Sequence, residues 1–533
     1  MLWEKHQISC FINVMEAEMK IHKQHLRRKC GSFLVPLCMA LALAVFMPSF
    51  ALAQDVSLSS DTEACISCHR MVTPGIVGDW ENSRHAKMTP AESLELPKIE
   101  RRMSAEEVPE KYLNNVIGCA ECHTMNTEFH PEDSFEHNGF TIHTVVSPSD
   151  CNTCHPTETA EYSENLMGRA YTSLMENETY AMMIENTNGL AEFNGTGFHH
   201  IKADETSNAD SCLACHGTVV QVTGSETRDT MMGPMKFPTL SNWPNAGVGR
   251  INPDNTEGSC GSCHARHQFS IEMARKPYTC AQCHKGPDVP AYKVYAVSVH
   301  GNIQKSVDKE WDYHAVPWVA GQDFTAPTCA ACHSSEIVDE SGNIIAKRTH
   351  RFNDRIPWRI FGLPYAHPHP IDADTSIIKK QAGLGLPTEL SGEPVSEFLI
   401  DAEEMEKRQQ NMENVCSACH TQGWIDGHFL RLQRSIETSN FMTLQATKVL
   451  TKAWEEGLAQ GLPQGANPFD EPIEIKWIEQ WLFFGNSVRF ATAMGGADYG
   501  VFADGRWYQS KNLREMADYL KFLRATKEAE DKE

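Results

Sequence analysis

The sequence predicts a mainly α chain in two parts: a body with little regular secondary structure and a helical bundle at the C-terminal end. Three observations predict it. Eight Cys-x-x-Cys-His motifs are spread between residues 65 and 420. The segments between them are rich in turn-forming residues, as in NWPNAGVGRINPDNTEG at 242–258. From about residue 401 apolar residues recur with helical spacing.

The N-terminal segment comes first. Lys20, Lys23, Arg27, Arg28 and Lys29 precede an apolar run from Phe33 to Phe46, and Ala51-Leu52-Ala53 follows before Gln54. A basic region, an apolar stretch and an A-x-A site make residues 1–53 a secretory signal peptide. Met19 opens MKIHKQHLRRK, a more ordinary start, so residues 1–18 read as an untranslated upstream extension. Export to a bacterial periplasm, soluble after cleavage, is the expectation. The formal net charge of −23 over 533 residues argues against a nucleic-acid partner and suits a basic redox partner.

The body, residues 54–400, is organised by cysteine. Of nineteen cysteines, Cys10, Cys30 and Cys38 lie in the leader. The other sixteen pair as Cys65/Cys68, Cys119/Cys122, Cys151/Cys154, Cys212/Cys215, Cys260/Cys263, Cys280/Cys283, Cys329/Cys332 and Cys416/Cys419. The histidines that follow are His69, His123, His155, His216, His264, His284, His333 and His420. This is the attachment motif of c-type haem. Both thiols add to the porphyrin and the histidine becomes the proximal iron ligand. No cysteine is left over, which leaves no thiol for a disulfide framework or a zinc site. Eight haem c groups are expected, seven of them in the body.

A six-coordinate electron-transfer haem needs a second axial ligand. Thirteen histidines lie outside both leader and motifs. Sequence context favours His85, His143, His200, His267, His300 and His350 as distal ligands, with His137 an alternative to His143 and His199 to His200. His267 lies too close to its own motif to reach that haem's far face and is expected to serve a neighbour. His130, His314, His367, His369 and His428 complete the set.

The last part, 401–533, carries the eighth haem and reads as helices. One leads into Cys416, a long one spans 428–461, and another spans 471–496. The last starts at Ser510 as N-cap, with Leu513, Met516, Leu520 and Leu523 on one face. The acidic tail is expected to be solvated.

Eight such motifs, W-x-x-S-x-H after the first, C-x-x-C-H-x-R-H-x-F-S at 260–270 and VSVHG at 297–301 together resemble the hydroxylamine oxidoreductase family of octahaem cytochromes c, which includes hydrazine dehydrogenases. The likeness covers about residues 60–505. It implies seven bis-histidine haems that carry electrons. The catalytic haem would be the fourth, on Cys212 and Cys215 with His216 proximal and its distal face open to a small nitrogen compound. It implies a homotrimer and a redox-partner cytochrome.

In oxidative members a tyrosine of a neighbouring subunit is bonded to the catalytic haem. GGADY places Tyr499 at that position, with Tyr508 a competitor. An Asp-His pair after the sixth motif handles protons in the family. Here Asp288 matches, but Val289 stands where the histidine is expected. The fourth and fifth motifs are 48 residues apart, and the insert is expected to reshape the catalytic haem's surroundings. The implied activity is oxidation of hydroxylamine or hydrazine. Reduction of nitrite or hydroxylamine to ammonia on the same scaffold is the alternative, and a purely electron-transferring cytochrome is the third reading.

Overall fold

In a computed structural model the described residues are 57–378 and 384–532. The leader lies outside them. Helix far outweighs strand, and the strands form five small sheets of two or three members. The mainly α expectation holds. No helix among the described residues is long and apolar enough to cross a membrane.

The body is held by short helices and hairpins. Strands β1 (Ser134–His137) and β2 (Phe140–His143) are joined by Asn138 and Gly139, with φ of 51° and 87°. Two left-handed residues make the tight turn that matches strand twist. Register then places Ser134 opposite His143 and His137 opposite Phe140, so the hairpin delivers two histidines to different places.

β3 (Leu190–Phe193) and β4 (Phe198–Ile201) form a hairpin exposed at every position. The insert between the fourth and fifth motifs contains β5 (Val222–Thr230) and β6 (Gly233–Leu240). Phe237 of β6 packs against Phe135 and His137, at ring distances of 5.7 and 5.9 Å, so this hairpin braces β1–β2.

The helical end begins with α1 (Ala402–Ser417), whose N-cap Asp401 accepts from the Glu404 N–H. Helix α2 (Gln422–Glu455) is longer than expected at its start and shorter at its end. Then come α3 (Pro472–Ile478), a π-helical segment Glu479–Gly485, α4 (Asn486–Met494), α5 (Ala497–Val501) and α6 (Arg506–Glu530). Gly495, at φ 77°, ends α4 in the left-handed conformation that a Cβ disfavours.

One expectation fails here. Ser510 is not an N-cap, because α6 starts after Gly505. Nothing in Arg506–Gln509 opposes a helix, and the side chain at 509 is buried and bonded to Ser439, so packing carries the helix one turn further back. The expected inner face is observed: Met516 and Leu520 are buried, and Leu513 and Leu523 pack against the same core.

That core joins α2, α3, the π segment and α6 through Leu450, Trp454, Trp477, Trp481 and Met516. Both buried Trp454 and Trp477 use their indole N–H, to Glu474 Oε1 at 2.8 Å and Thr447 Oγ1 at 2.8 Å. Glu474 is itself buried, and burial pushes its carboxyl up to about 7. A carboxyl raised on folding contributes stability below its unfolded value of 4.5 and loses it as pH rises through about 7. Glu474→Gln keeps an oxygen for Trp454 and removes the ionisation. Its unfolding midpoint should therefore vary less with pH between 4.5 and 7 than that of the parent chain, as read by thermal melts across that range.

Candidate functional site

The site is built from the motifs upward. In half of the motifs the two cysteines, three residues apart, lie on one side of a single α-helical turn, as in Cys119–His123, Cys212–His216 and Cys329–His333. The following histidine is tied to the first cysteine. His155, His264, His284 and His420 each donate their backbone N–H to that cysteine's carbonyl at 2.9–3.0 Å. Thiols and imidazole therefore face one group together.

Sulfurs of different motifs meet. Cys151 touches Cys260, Cys215 touches Cys283, and Cys280 touches Cys329. The third motif thus lies beside the fifth, the fourth beside the sixth, and the sixth beside the seventh. Cys65 is near Cys119, and Cys332 is near Cys416. The fourth motif branches off the sixth, away from the main line.

A cavity of about 2100 Å³ runs through the body, lined by cysteines of the second to eighth motifs and by His155, His216, His264, His284, His333 and His420. The donor set fits haem c on two further grounds. Burial pushes the His123 and His333 imidazoles down to about 4, and those of His155, His216, His264 and His284 down as well, so they stand neutral, the form that ligates iron. Arg275 and Arg355 line the cavity, buried, and donate only to carbonyls, with no carboxylate partner among the described residues. Buried guanidinium groups of this kind suit the propionates of haem.

The first motif departs from this arrangement. Cys65, Cys68 and His69 do not line the shared cavity. The reason is local packing. This motif lies in the longer helix Ser60–Val72, whose inward residue is Ile66, packed with Val77, Trp80 and Val116. Cys65 and Cys68 lie off that face and are half-buried. Cys68 Sγ accepts from the exposed Ser67 hydroxyl at 3.8 Å rather than meeting another motif's sulfur. His69 Nδ1 pairs with Thr73 Oγ1 at 3.0 Å, which leaves Nε2 free on the other side of the ring.

An iron held at about 2 Å by two imidazoles sets the ring centroids roughly 6 Å apart. Five motif histidines have such a neighbour. His69 lies 6.1 Å from His137, His155 6.3 Å from His85, His264 6.5 Å from His350, and His420 6.1 Å from His300. His123 has two, His143 at 6.2 Å and His267 at 6.4 Å. The His123 Nδ1 meets the carbonyl of His143 at 2.8 Å. The His143 backbone therefore lies on the Nδ1 side of that ring, and His267 is the second imidazole near it.

His369 is buried, with both ring nitrogens unpartnered, and within electrostatic reach of His333. His367 is buried, its Nδ1 taken by the Pro368 carbonyl and its Nε2 unpartnered. His428 lies beside Trp424, and His314 bonds Glu272 at the surface. His199 and His200 sit on the exposed β3–β4 hairpin, His200 against Gly189, and neither makes a ring contact with a motif imidazole among the described residues. Among the described residues His216 has no second imidazole ring at such a distance.

His216 has other company. Its Nδ1 meets the Ala170 carbonyl at 3.3 Å, and the first charge in reach is Asp288, which also reaches His284. Asp288 and Val289 both line the cavity. The Asp288 backbone is fixed from α4: Asn486, fully buried, donates through Nδ2 to the Asp288 carbonyl at 2.8 Å. Its Oδ1 accepts from Gly362 N at 2.9 Å and from Arg489 Nη2 at 2.6 Å. The sequence offered no signal for Asn486 or Arg489, since their role exists only once α4 crosses the 288 loop.

Tyr499 is half-buried in α5 and does not line the cavity of its own chain, whereas Ala493, Met494 and Gly495 do. Burial, with Asp504 and Asp498 nearby, pushes its phenol up. Tyr508 stacks on Phe484 instead.

Two family models match the chain: "Seven times multi-haem cytochrome CxxCH" over residues 249–358, and "Cytochrome c554 and c-prime" over 64–143 and 150–235. A solved "hypothetical multiheme protein" is 40% identical, covering 88% of this chain and 97% of its own, with a TM-score of 0.82. The reducing HAO-like protein complex of Kuenenia stuttgartiensis shares the fold, at TM-score 0.59 and 18% identity over 89% of this chain and 87% of that one. A probable nitrite reductase-hydroxylamine oxidoreductase fusion protein of the same organism is 25% identical over 429 residues, 76% of this chain. The chain spans about two fifths of that fusion's length, 39%.

Motifs, cavity and likenesses define a multihaem cytochrome c with an electron-transfer or oxidoreductase role. The chain belongs with the multihaem proteins that the 40%-identical structure represents, and it shares the fold of the HAO-like complex.

The Asn486 network is open to test. Asn486→Ala leaves the Asp288 carbonyl and the Gly362 N–H buried without their partner. The expected cost is about 1–3 kcal/mol of stability, measured as a lower melting temperature with unchanged haem content.

Proposed function

We propose that the chain is an exported octahaem cytochrome c that oxidises hydroxylamine, or hydrazine, at one open haem and passes the electrons to a partner cytochrome. The observation that carries this is His216. It belongs to the motif on the branch of the chain of sulfur contacts, has no imidazole opposite it among the described residues, and shares its surroundings with a carboxylate. When bound, the haem on Cys212 and Cys215 would supply an iron site for a small nitrogen compound, and the other haems would carry single electrons.

The chain's own residues do the rest. Asp288 stands between the fourth and sixth motifs, where it can take protons from an N–H or O–H group as electrons leave. Asn486 holds its backbone so that the carboxylate is presented without rearrangement. The distal pairings that the ring distances support are His137 with His69, His267 with His123, His85 with His155, His350 with His264 and His300 with His420. His369, within electrostatic reach of His333, is the candidate for that motif. The first haem, on Cys65 and Cys68, would sit apart from the shared cavity, against the β1–β2 hairpin that carries His137. In a homotrimer, a neighbouring subunit's copy of Tyr499 would bond to the haem at Cys212, since that side chain stands outside its own cavity.

Reduction of nitrite or hydroxylamine to ammonia is the second reading, and Val289 favours it. An apolar side chain lines the cavity where the oxidative family members carry a proton-accepting imidazole, so Asp288 works alone. Digestion of the purified holoprotein and mass measurement of the peptide containing Cys212 separates the two. A haem adduct that also carries the Tyr499 peptide, with hydroxylamine-dependent reduction of an added cytochrome, is the expected result. A Cys212 peptide without tyrosine, with ammonia formed from hydroxylamine by a reduced dye, replaces it with the second reading. Tyr499→Phe should abolish the adduct and spare the other haems.

A further inference from the structure

His143 stands out because the pairings proposed above leave its ring unused, its backbone carbonyl meeting the His123 Nδ1 at 2.8 Å. It is fully buried, and both ring nitrogens lack a hydrogen-bond partner. A buried imidazole with neither nitrogen satisfied is costly and asks for a ligand.

Its neighbours supply the rest of a site. His130, also buried, stacks on it with ring centroids 3.8 Å apart and planes 2° from parallel. His130 Nδ1 is 3.0 Å from Asp133 Oδ1, which fixes the proton on that nitrogen and leaves Nε2 to face inward. A carboxylate behind a histidine in this way is the usual support of a metal-ligating imidazole. Asp150 Oδ2 lies 3.3 Å from His130 Nε2 and 3.4 Å from His143 Nε2. Both contacts are longer than an ordinary charge-assisted hydrogen bond of about 2.7–2.9 Å. These lengths are those of ligand-to-ligand edges around a tetrahedral cation with bonds of about 2.0–2.1 Å. All three ligand atoms lie within 4.8 Å of one another.

We propose that His130 Nε2, His143 Nε2 and Asp150 Oδ2 bind a divalent transition cation, with Zn²⁺ the ion that two imidazoles and one carboxylate suit best. The cation takes the place of any proton on the two Nε2 atoms. Asp150 is steadied for this by the Ser147 N–H at 2.9 Å and by Asn126 Nδ2 at 3.3 Å. Parallel rings must splay for both lone pairs to converge, so occupancy changes the stack. The site would tie strand β2, the turn at His130 and the residue before Cys151, fastening the second and third motifs together. It carries no redox step and stands whichever way the haems are used.

The test uses the whole holoprotein. Elemental analysis after dialysis should give one zinc per chain beside the haem iron. Anomalous diffraction across the zinc edge should put a peak between the three atoms, with the rings opened from parallel. His130→Ala and His143→Ala should each lose the zinc while the haem spectrum and haem content stay unchanged. If either variant fails to mature, the anomalous peak in the parent protein decides. No bound metal, and no uptake when Zn²⁺ is added to chelator-treated protein, would overturn the proposal. So would a high-spin haem appearing in His143→Ala, because His143 would then be an iron ligand.

Discussion

The constraint on which the structure depends is that the body carries its interior on cysteine. Side-chain cores exist, around Trp318 and around Trp454, but the cavity of about 2100 Å³ is walled by motif cysteines and histidines. Protein interiors are close-packed, so a space of that size belongs to large groups fixed at its walls. Short helical turns and hairpins suffice as secondary structure because each need only present two thiols and one imidazole. The order of sulfur contacts then sets the order in which electrons can pass.

Within that frame the fourth motif differs by what faces it. At five other motifs a second imidazole stands at about the distance that six-coordination needs. At His216 the charged groups in reach are Asp288 and Arg359, and Val289 lines the same cavity. The carboxylate is positioned from the helical end: the π segment brings Asn486 to the start of α4, where it reaches the 288 loop. The two parts of the chain meet at the residue proposed to move protons.

Much of this was legible in the sequence because attachment chemistry is local. Cys-x-x-Cys-His needs one helical turn and names both thiols and the proximal ligand. What surrounds each motif is not local, and Cys68 shows it: its spacing matches the other seven motifs, yet packing at Ile66 keeps it out of the shared cavity. Distal histidines are long-range too, and sequence context narrowed them unevenly. His85, His267, His300 and His350 stand across from motif imidazoles. Whether His137 or His143 does so depends on the register of the β1–β2 hairpin, which the Asn138-Gly139 turn sets. His200 was singled out by its neighbours in sequence, yet the structure places it on an exposed hairpin. The start of α6 was misplaced because burial at Gln509 outweighs the capping preference of Ser510. Asn486 was invisible, since a buried amide between two loops has no sequence signature.

One haem, the one on Cys212 and Cys215, is proposed to be open while the rest are closed by two imidazoles. Low-temperature electron paramagnetic resonance of the oxidised holoprotein, with and without hydroxylamine, tests it most directly. Eight haems per chain are expected, one of them with a high-spin or otherwise distinct signal that changes on adding hydroxylamine, and seven with low-spin signals that do not. Eight low-spin haems, all unchanged by hydroxylamine, would contradict it and leave a protein that only conducts electrons.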